Sequence, residues 1–404
     1  MRLDATTPLL NGDIPALVIG LMSGTSADGV DAACCRLSHP AGGSLAWEVL
    51  GTTSHAYREG LGEALRSPER LVVPELAALH VEIGLAFAEA ARATARAAGI
   101  SLADVALIGS HGQTVWHDPR GARGGIPTTL QIGSPAAIAE ETGCVVWADF
   151  RPADVAAGGE GAPFVPYVDW LLFTDPARWT VCLNLGGIAN VALLPPGAAA
   201  ADVIAFDTGP GNMVLDHLAQ KLLGAAHDAG GALAARGQVN AERLAAALND
   251  PYFARPAPKS TGREEFGAGF VERHFSPLEA LAPDGVTERF ATAAALTVES
   301  VARALEGGAG APRVPPDSDI LVAGGGRNNL TLMDGLIARC APRRVLPVDE
   351  RGLDGDAKEA VAFAIMAYES ALGRAVNLPS ATGARHPARC GALTFPPPGG
   401  PHHG

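Results

Sequence analysis

Apolar residues recur along this chain with two different periods. From Ala16 to Leu37, ALVIGLMSGTSADGVDAACCRL places two β-prone apolar runs either side of a turn of Ser, Thr, Gly and Asp, which predicts a hairpin with a polar tip. Between about Val73 and Ala98 the apolar positions fall three and four residues apart and Ala is abundant, the period of a helix. A short strand, VALIGS, is expected to end at His111. Leu130 to Phe150 reads as strand, helix, strand, with Ser134 as N-cap and Pro135 as first helical residue. Thr180 to Leu194, TVCLNLGGIANVALL, is a second strand–turn–strand unit whose layout echoes the first, a weak internal duplication. Apolar runs near Val203 to Asp207 and Ile320 to Ala323 each precede a Gly-rich turn and then a helical pattern, the βα arrangement that keeps sites at strand C-terminal ends. The pattern predicts an α/β protein with two similar halves.

Composition narrows the class. The chain has 404 residues, which at roughly 150 residues per domain suits two large units. Hydrophobic residues make up 48% and charged residues 18%, enough apolar surface to offset the entropy of ordering a packed core. Lys and Arg total 30 against 43 Asp and Glu, a formal net charge of -13. That is the wrong sign for a nucleic-acid partner, so any phosphate must be held locally. Cys34, Cys35, Cys144, Cys182, Cys340 and Cys390 show no CxxC spacing and read as reduced core residues, not as a disulfide framework or zinc site. The opening MRLDATTPLLNGDIPALVIG lacks the unbroken apolar run of a signal peptide. Stretches such as AALTVESVARALEGG are interrupted by charge well short of the ~20 apolar residues of a membrane span. A cytoplasmic protein with no membrane partner is expected, ending in a disordered Pro/Gly/His tail over residues 395–404.

The polar turns carry the candidate chemistry. GLMSGTSADG gathers Ser23, Gly24, Thr25, Ser26, Asp28 and Gly29. Bare N–H groups and hydroxyls there suit phosphate oxygens, and Asp28 suits a hydrated Mg2+, although the string also fits an ordinary hairpin turn. NLGGIAN repeats the logic with Asn184, Gly186, Gly187 and Asn190. LVAGGGRNN sets Gly324, Gly325 and Gly326 after a β-run, where adenine or its ribose can lie against backbone. Neither a Walker A loop nor GxGxxG spacing is present. In AFDTGPGN, Asp207 stands at a predicted strand end before Gly209, Pro210, Gly211 and Asn212. It suits a general base or, equally, a helix cap or Asx-turn. ADFRPADVAAGGEGAP offers Asp149, Arg151, Asp154 and Glu160, either to a hydroxylated substrate or as an exposed linker. SHGQTVWHDP holds His111, Gln113, Thr114 and His117, suited to sugar hydroxyls or a carboxylate and short of a third zinc ligand. PKSTGREEFG presents Lys259, Ser260, Thr261 and Arg263 to substrate or phosphate, or forms an exposed basic turn. Glu359 opens the apolar helix of DAKEAVAFAIMAY, where its charge favours the helix dipole and can face a cleft.

Taken in order, GLMSGTSADGVDAA, GSHGQTVWHDP, LQIGSPA, DFRPADVAAGGEGAP, NLGGIANV, FDTGPGN, PKSTGREEF, GGGRNN and EAVAFA resemble the anhydro-N-acetylmuramic acid kinase family, over most of the chain from about Gly20 to Gly383. The resemblance implies the superfold of sugar kinases, actin and heat-shock chaperones: two related α/β domains with ATP in an interdomain cleft between two phosphate hairpins. Residues 1–149 with 360–394 would form domain I, and 150–359 domain II. It implies ATP with Mg2+ held by Asp28, a small sugar substrate, and a homodimer. The implied reaction, in cell-wall sugar recycling, opens the ring of 1,6-anhydro-N-acetylmuramic acid and phosphorylates its 6-oxygen, giving N-acetylmuramic acid 6-phosphate and ADP. By that similarity Asp207 activates the attacking water. Gly24 through Gly29, Asn184, Gly186, Gly187, Gly209, Gly211, Asn212 and Gly324 through Gly326 would face the nucleotide. His111, Gln113, Gln131, Arg151, Asp154, Lys259 and Glu359 would face the sugar. The chain departs from the family pattern at Ala153, where a basic residue is usual, at Glu160, where Gln is, and at Arg327, where a small or neutral residue is. A conventional kinase of another sugar, with Asp207 deprotonating a hydroxyl, and a nucleotide-switched actin-like binding protein are the alternatives.

Overall fold

The structure, a computed structural model describing residues 10–24, 27–123 and 125–398, divides into two units. One is Met1–Leu172 with Ala357–Gly404, the other Phe173–Asp356. Residues 150–172, expected in the second domain, lie in the first unit, where the Asp154 carboxylate ties the Arg151–Ala156 helix to Asn377 and Thr382. Lys358 and Glu359 also lie there, and Lys358 pairs with the buried Asp169 at 2.7 Å.

In the first unit β1 (Ala16–Ser23), β2 (Gly29–Ser38) and β3 (Ala46–Ala56) run antiparallel. β4 (Val105–Asp118) lies parallel to β1, and it pairs antiparallel with β5 (Thr128–Ile132) and parallel with β6 (Val146–Ala148). The strand Ala392–Thr394 closes the far edge against β6. Side chains along a strand point alternately to opposite faces, and here that alternation decides the layering. Ile19 and Leu21 enter a core with Ile83 and Phe87 of the Val73–Ala97 helix. Gly20 and Gly109, Cα partners on β1 and β4, meet the other covering helix, Lys358–Ala371. A Cβ at Gly20 would lie 1.9 Å from the Ala360 carbonyl oxygen, and one at Gly109 2.3 Å from that of Phe363. The paired glycines thus let backbone rest on backbone, and they fix where Glu359, in the helix's first turn, stands.

In the second unit β7 (Thr180–Leu185), β8 (Ile188–Leu194) and β9 (Ile204–Pro210) run antiparallel. β10 (Asp319–Ala323) is parallel to β7, and β11 (Arg344–Pro347) is parallel to β10. The order β11-β10-β7-β8-β9 reproduces β6-β4-β1-β2-β3 in sequence and direction, so the duplication read weakly from the sequence is complete in topology. Leu183, Val191 and Phe206 of the sheet pack with Leu215, Phe290, Leu296 and Leu336 of the helices Met213–Leu223, Pro283–Leu305 and Leu330–Cys340.

Two strands outrun their expected ends. β4 continues past His111 to Asp118 because its second half finds a partner in β5. β9 continues past Asp207 because Gly209 and Pro210 still pair with β8. Asp207 therefore sits inside a strand, opposite Asn190, and not at a strand end. The six cysteines are free and buried. Among the described residues no helix is long and apolar enough to cross a membrane. Of the tail expected to be disordered, residues 399–404 lie outside the described residues.

Candidate active site

Side chains brace the β1–β2 tip. The Ser23 hydroxyl lies 2.7 Å from both the Gly29 carbonyl and Gln113 Oε1, and it accepts from the Tyr57 hydroxyl at 2.9 Å. Burial pushes the Tyr57 pKa up, which keeps it a donor. Gln113 Nε2 donates to the Gly24 carbonyl at 3.0 Å, and the Tyr57 N–H to that of Asp28 at 2.9 Å. A Cβ on Gly29 would lie 2.5 Å from the His55 carbonyl oxygen, so only glycine fits the base of the turn. Asp28 is exposed, while Thr25 and Ser26 lie outside the described residues. Gln113, expected at the sugar, is buried with both ends of its amide engaged by the tip. It is a brace and not a ligand contact.

His111, only 3% exposed, donates from Nδ1 to the Gly112 carbonyl at 2.8 Å and accepts at Nε2 from Arg151 Nε at 2.9 Å. Arginine can only donate, so Nε2 carries no proton. Burial, and then the Arg151 charge, hold the His111 pKa well below its usual value. Arg151 also donates from Nη1 to the Gly161 carbonyl at 2.6 Å and lies 5.9 Å over the Phe164 ring. Burial lowers its pKa to about 10, against the opposing pull of Glu359 and Asp154, so it stays charged at neutral pH. Nη2 is left without a hydrogen-bond partner among the described residues.

Glu359 is reached by solvent yet ringed by protein. The crowding raises its pKa, Arg151 and Lys358 pull it back, and Asp31 adds to the rise. Asp31, one charge in the otherwise apolar GVDAACC run of β2, is a member of this cluster that motif reading did not single out. Asp154 is 0% exposed. Its Oδ2 accepts from the Gly161 N–H at 2.7 Å, and its Oδ1 from Asn377 Nδ2 at 2.6 Å and the Thr382 hydroxyl at 2.7 Å. The expectation that it touches sugar is corrected, because no surface of it remains for a ligand. Gln131 donates to Thr129 Oγ1 at 2.9 Å, and its buried Oε1 has no partner among the described residues, the kind of acceptor that a water or ligand hydroxyl satisfies. Glu160 is neutralised by Arg120, whose Nε lies 2.9 Å away.

In the second unit the glycine turns meet through backbone. The N–H groups of Gly211 and Asn212 donate to the Gly187 and Gly186 carbonyls at 2.9 and 2.8 Å, and Asn212 Nδ2 lies 3.1 Å from the carbonyls of Leu185 and Gly186. A Cβ on Gly211 would fall 2.3 Å from the Gly186 carbonyl oxygen, and one on Gly324, at φ +81, 2.6 Å from Asn184 Oδ1. On Gly326 it would fall 2.6 Å from Leu185 Cβ. Gly209 has φ +155, with Phe253 and Ser300 filling the space beside it. Gly325 faces open space and, with Asn212, Asp216, His227 and Asn329, lines a cavity of about 350 Å³. Burial pushes the Asp216 carboxyl up to about 6, against His227. An acidic residue in the first turn of the amphipathic MVLDHLAQKLL helix is the signal that could have marked it. Arg327 is caged by Asp349 at 3.2 Å, Asp356 at 2.7 Å and Asp354 at 3.6 Å, so its charge is answered where it stands.

Asp207 accepts the Thr261 N–H on Oδ2 at 2.8 Å, its own N–H donates to the Lys259 carbonyl at 2.9 Å, and its carbonyl accepts from the Tyr252 hydroxyl at 2.7 Å. The PKST segment is thereby laid alongside β9. Lys259 Nζ donates to the Tyr252 carbonyl at 3.1 Å and lies 4.3 Å over the Tyr252 ring. Burial, then Arg255, lowers its pKa to about 8. It lines a separate cavity of about 570 Å³ with Phe206 and Thr208, the residues that alternate with Asp207 along the strand. Among the described residues no group of three or more His, Cys, Asp or Glu side chains is placed to hold a metal ion.

The family model for anhydro-N-acetylmuramic acid kinase matches residues 16–396. A protein of that name from Gloeobacter violaceus is 44% identical over 373 residues, covering 92% of this chain and 96% of its own. Another, from Caldanaerobacter subterraneus, is 42% identical over 389 residues, covering 94% and 97%. Among solved structures, a ROK family glucokinase from Streptomyces griseus in complex with glucose and AMPPNP shares 14% identity at a TM-score of 0.37, covering 88% of this chain and 100% of its own, a likeness too distant to carry an argument. With nearly its whole length matched by the family model and by such relatives, the chain belongs to the anhydro-N-acetylmuramic acid kinase family.

Proposed function

We propose that the protein uses ATP to open the ring of 1,6-anhydro-N-acetylmuramic acid with water and to phosphorylate its 6-oxygen, releasing N-acetylmuramic acid 6-phosphate and ADP. The observation that carries this reading is the family match from residue 16 to residue 396, supported by relatives named for that kinase. Asp207 acts as the base. It takes a proton from water as the water oxygen bonds to the anomeric carbon, the bond from that carbon to the bridging oxygen breaks, and the freed 6-oxygen takes the γ-phosphoryl group of ATP. The Thr261 N–H on Oδ2 orients the carboxylate for this task. Arg151, fixed at two nitrogens with Nη2 left without a hydrogen-bond partner among the described residues, meets the sugar's carboxylate, a charge-assisted contact.

The polar β1–β2 tip and the glycine turns of the second unit receive the nucleotide, whose phosphate transfer depends on positioning and charge neutralisation. Mg2+ keeps several waters and takes one or two carboxylates besides phosphate, so the single exposed carboxylate of Asp28 at the tip suits it. When bound, the ion supplies charge neutralisation on the phosphate oxygens. The same reading makes the protein a cytoplasmic homodimer.

The test is ADP release with Mg-ATP and the anhydro sugar, alongside N-acetylmuramic acid, N-acetylglucosamine and no sugar. Turnover confined to the anhydro sugar is expected, with one oxygen from 18O-water at the anomeric carbon. Asp207→Asn should lower kcat by about 10²- to 10⁴-fold with ATP still bound. Near-native turnover by that variant would remove Asp207 from the mechanism.

A further inference from the structure

We infer that Asp154 is a positioning residue: a buried clasp between its carboxylate and the 377–388 segment holds Arg151 in place for the sugar. The inference rests on the reading of Arg151 as a sugar contact.

A carboxylate with no exposed surface is costly unless its lone pairs are used. Asp154 uses them on the Gly161 N–H, Asn377 Nδ2 and the Thr382 hydroxyl, at 2.6 to 2.7 Å. The loop that follows is shaped to wrap this group. Gly158 has φ +87 and Gly161 φ +66, and a Cβ on Gly159 would lie 2.2 Å from Asp154 Oδ2. The 377–388 segment grips the same loop elsewhere. The Glu160 N–H donates to the Thr382 carbonyl at 2.8 Å, and the Arg385 N–H to that of Ala157 at 2.9 Å. Asn377 is itself fixed, because its Oδ1 accepts the Ala388 N–H at 2.6 Å.

What the clasp delivers is the Gly161 carbonyl. That oxygen holds Arg151 Nη1 at 2.6 Å while His111 holds Nε. The guanidinium is planar, so two fixed nitrogens fix the direction of Nη2. If Asp154 lets go of Gly161, one of the two anchors is loosened and the arginine regains rotamers. Its charge stays in place, but its aim is lost.

The test compares Asp154→Asn, Thr382→Val and the double variant Asp154→Asn with Asn377→Asp in the full-length protein. KM for 1,6-anhydro-N-acetylmuramic acid and for ATP, kcat, and the melting temperature are measured. Asp154→Asn is expected to raise the sugar KM by about 10- to 100-fold, the effect of a misaimed charged contact. The ATP KM should stay within about 2-fold, because the nucleotide turns make no use of the clasp. The double variant restores an amide–carboxylate pair across the clasp and should recover part of the sugar KM. Thr382→Val keeps the carboxylate and guards against misfolding, with the same split expected at about 3- to 10-fold.

A sugar KM unchanged in a folded variant, or sugar and ATP KM rising together, would overturn the inference. If the wild-type protein fails to turn over the anhydro sugar, the kinase reading falls and this inference with it. If the wild type turns it over and no variant shows the split, the positioning role alone is lost.

Discussion

At the β7–β8 tip, the Gly186 and Gly187 carbonyls accept N–H groups from Gly211, Asn212 and Met213. At the β1–β2 tip, the partners are the side chains of Ser23, Gln113 and Tyr57, and one bond reaches across 90 residues of sequence. The two hairpins hold the same place in matching strand orders. Backbone meeting backbone dominates at the β7–β8 tip, joined by the Asn212 amide, whereas at the β1–β2 tip a relay of hydroxyl and amide groups is added to the Tyr57 N–H bond and the close fit at Gly29. The backbone part of a brace offers no atom that can be trimmed, and it fails when anything is added. A side-chain brace can be taken apart one group at a time, so its failure should be graded.

The largest effect is therefore expected from adding a methyl group at the second tip. Gly211→Ala places a Cβ 2.3 Å from the Gly186 carbonyl oxygen. Relief requires moving backbone, a destabilisation of about 1–3 kcal/mol or more, and ATP affinity should fall with it. Chemical denaturation and nucleotide titration measure both. Native stability with unchanged ATP binding would show that the second tip is not tightly set. Gln113→Leu comes next. It keeps the volume but strips the Gly24 carbonyl of one donor and Ser23 of one partner, at a cost of about 1–3 kcal/mol. A rise in the ATP KM without a rise in the sugar KM is expected, since Gln113 serves the tip.

The same contrast explains what could be read from the chain alone. Both hairpins, the Val73–Ala97 helix and the Ser134 cap are local patterns of period and turn chemistry, and each lies where the sequence puts it. Strand ends are not local. β4 and β9 run on because β5 and β8 are there to pair with them, and pairing partners outweigh intrinsic preference. Polarity marks a residue as needing partners but not whether they are ligand or protein. Gln113 and Asp154 look alike in this respect, and their true partners appear only when chain segments 90 and 223 residues apart are brought together. Asp31 and Asp216 are harder to read for the converse reason: Asp31 is one charge inside the apolar GVDAACC run, and Asp216 lies on an amphipathic helix among other polar positions that read as solvent-facing.

Side chains titrate and backbone does not, so the polar cluster around His111 should make its own contribution to the acid response. His111 has a folded pKa held far below its usual 6.5, chiefly by burial. Well above 6.5 the ring is neutral in both states. As pH falls below about 6.5, the unfolded chain binds a proton that the folded one refuses, so stability declines by up to about 1.4 kcal/mol per pH unit. His111→Gln keeps an acceptor for Arg151 and removes the titration. Urea unfolding at pH 7.5, 6.5 and 5.5 should show a shallower decline in the variant. Equal slopes would mean that His111 is not held neutral.

The smallest effect is expected at the outermost member of the relay. Tyr57→Phe removes only the hydroxyl that donates to Ser23 at 2.9 Å, and Ser23 keeps its contacts to Gly29 and Gln113. Tyr57 is half-buried, so water can replace part of what is lost. A cost of about 0.5–1.5 kcal/mol follows. The Gln113 bond to Gly24 is untouched, so the ATP KM should move by no more than about 3-fold. That ranking is the sharpest check on the comparison. If Tyr57→Phe weakens ATP binding as much as Gln113→Leu does, the first tip yields as a single cooperative piece, and the distinction between a graded side-chain brace and an all-or-none backbone brace disappears.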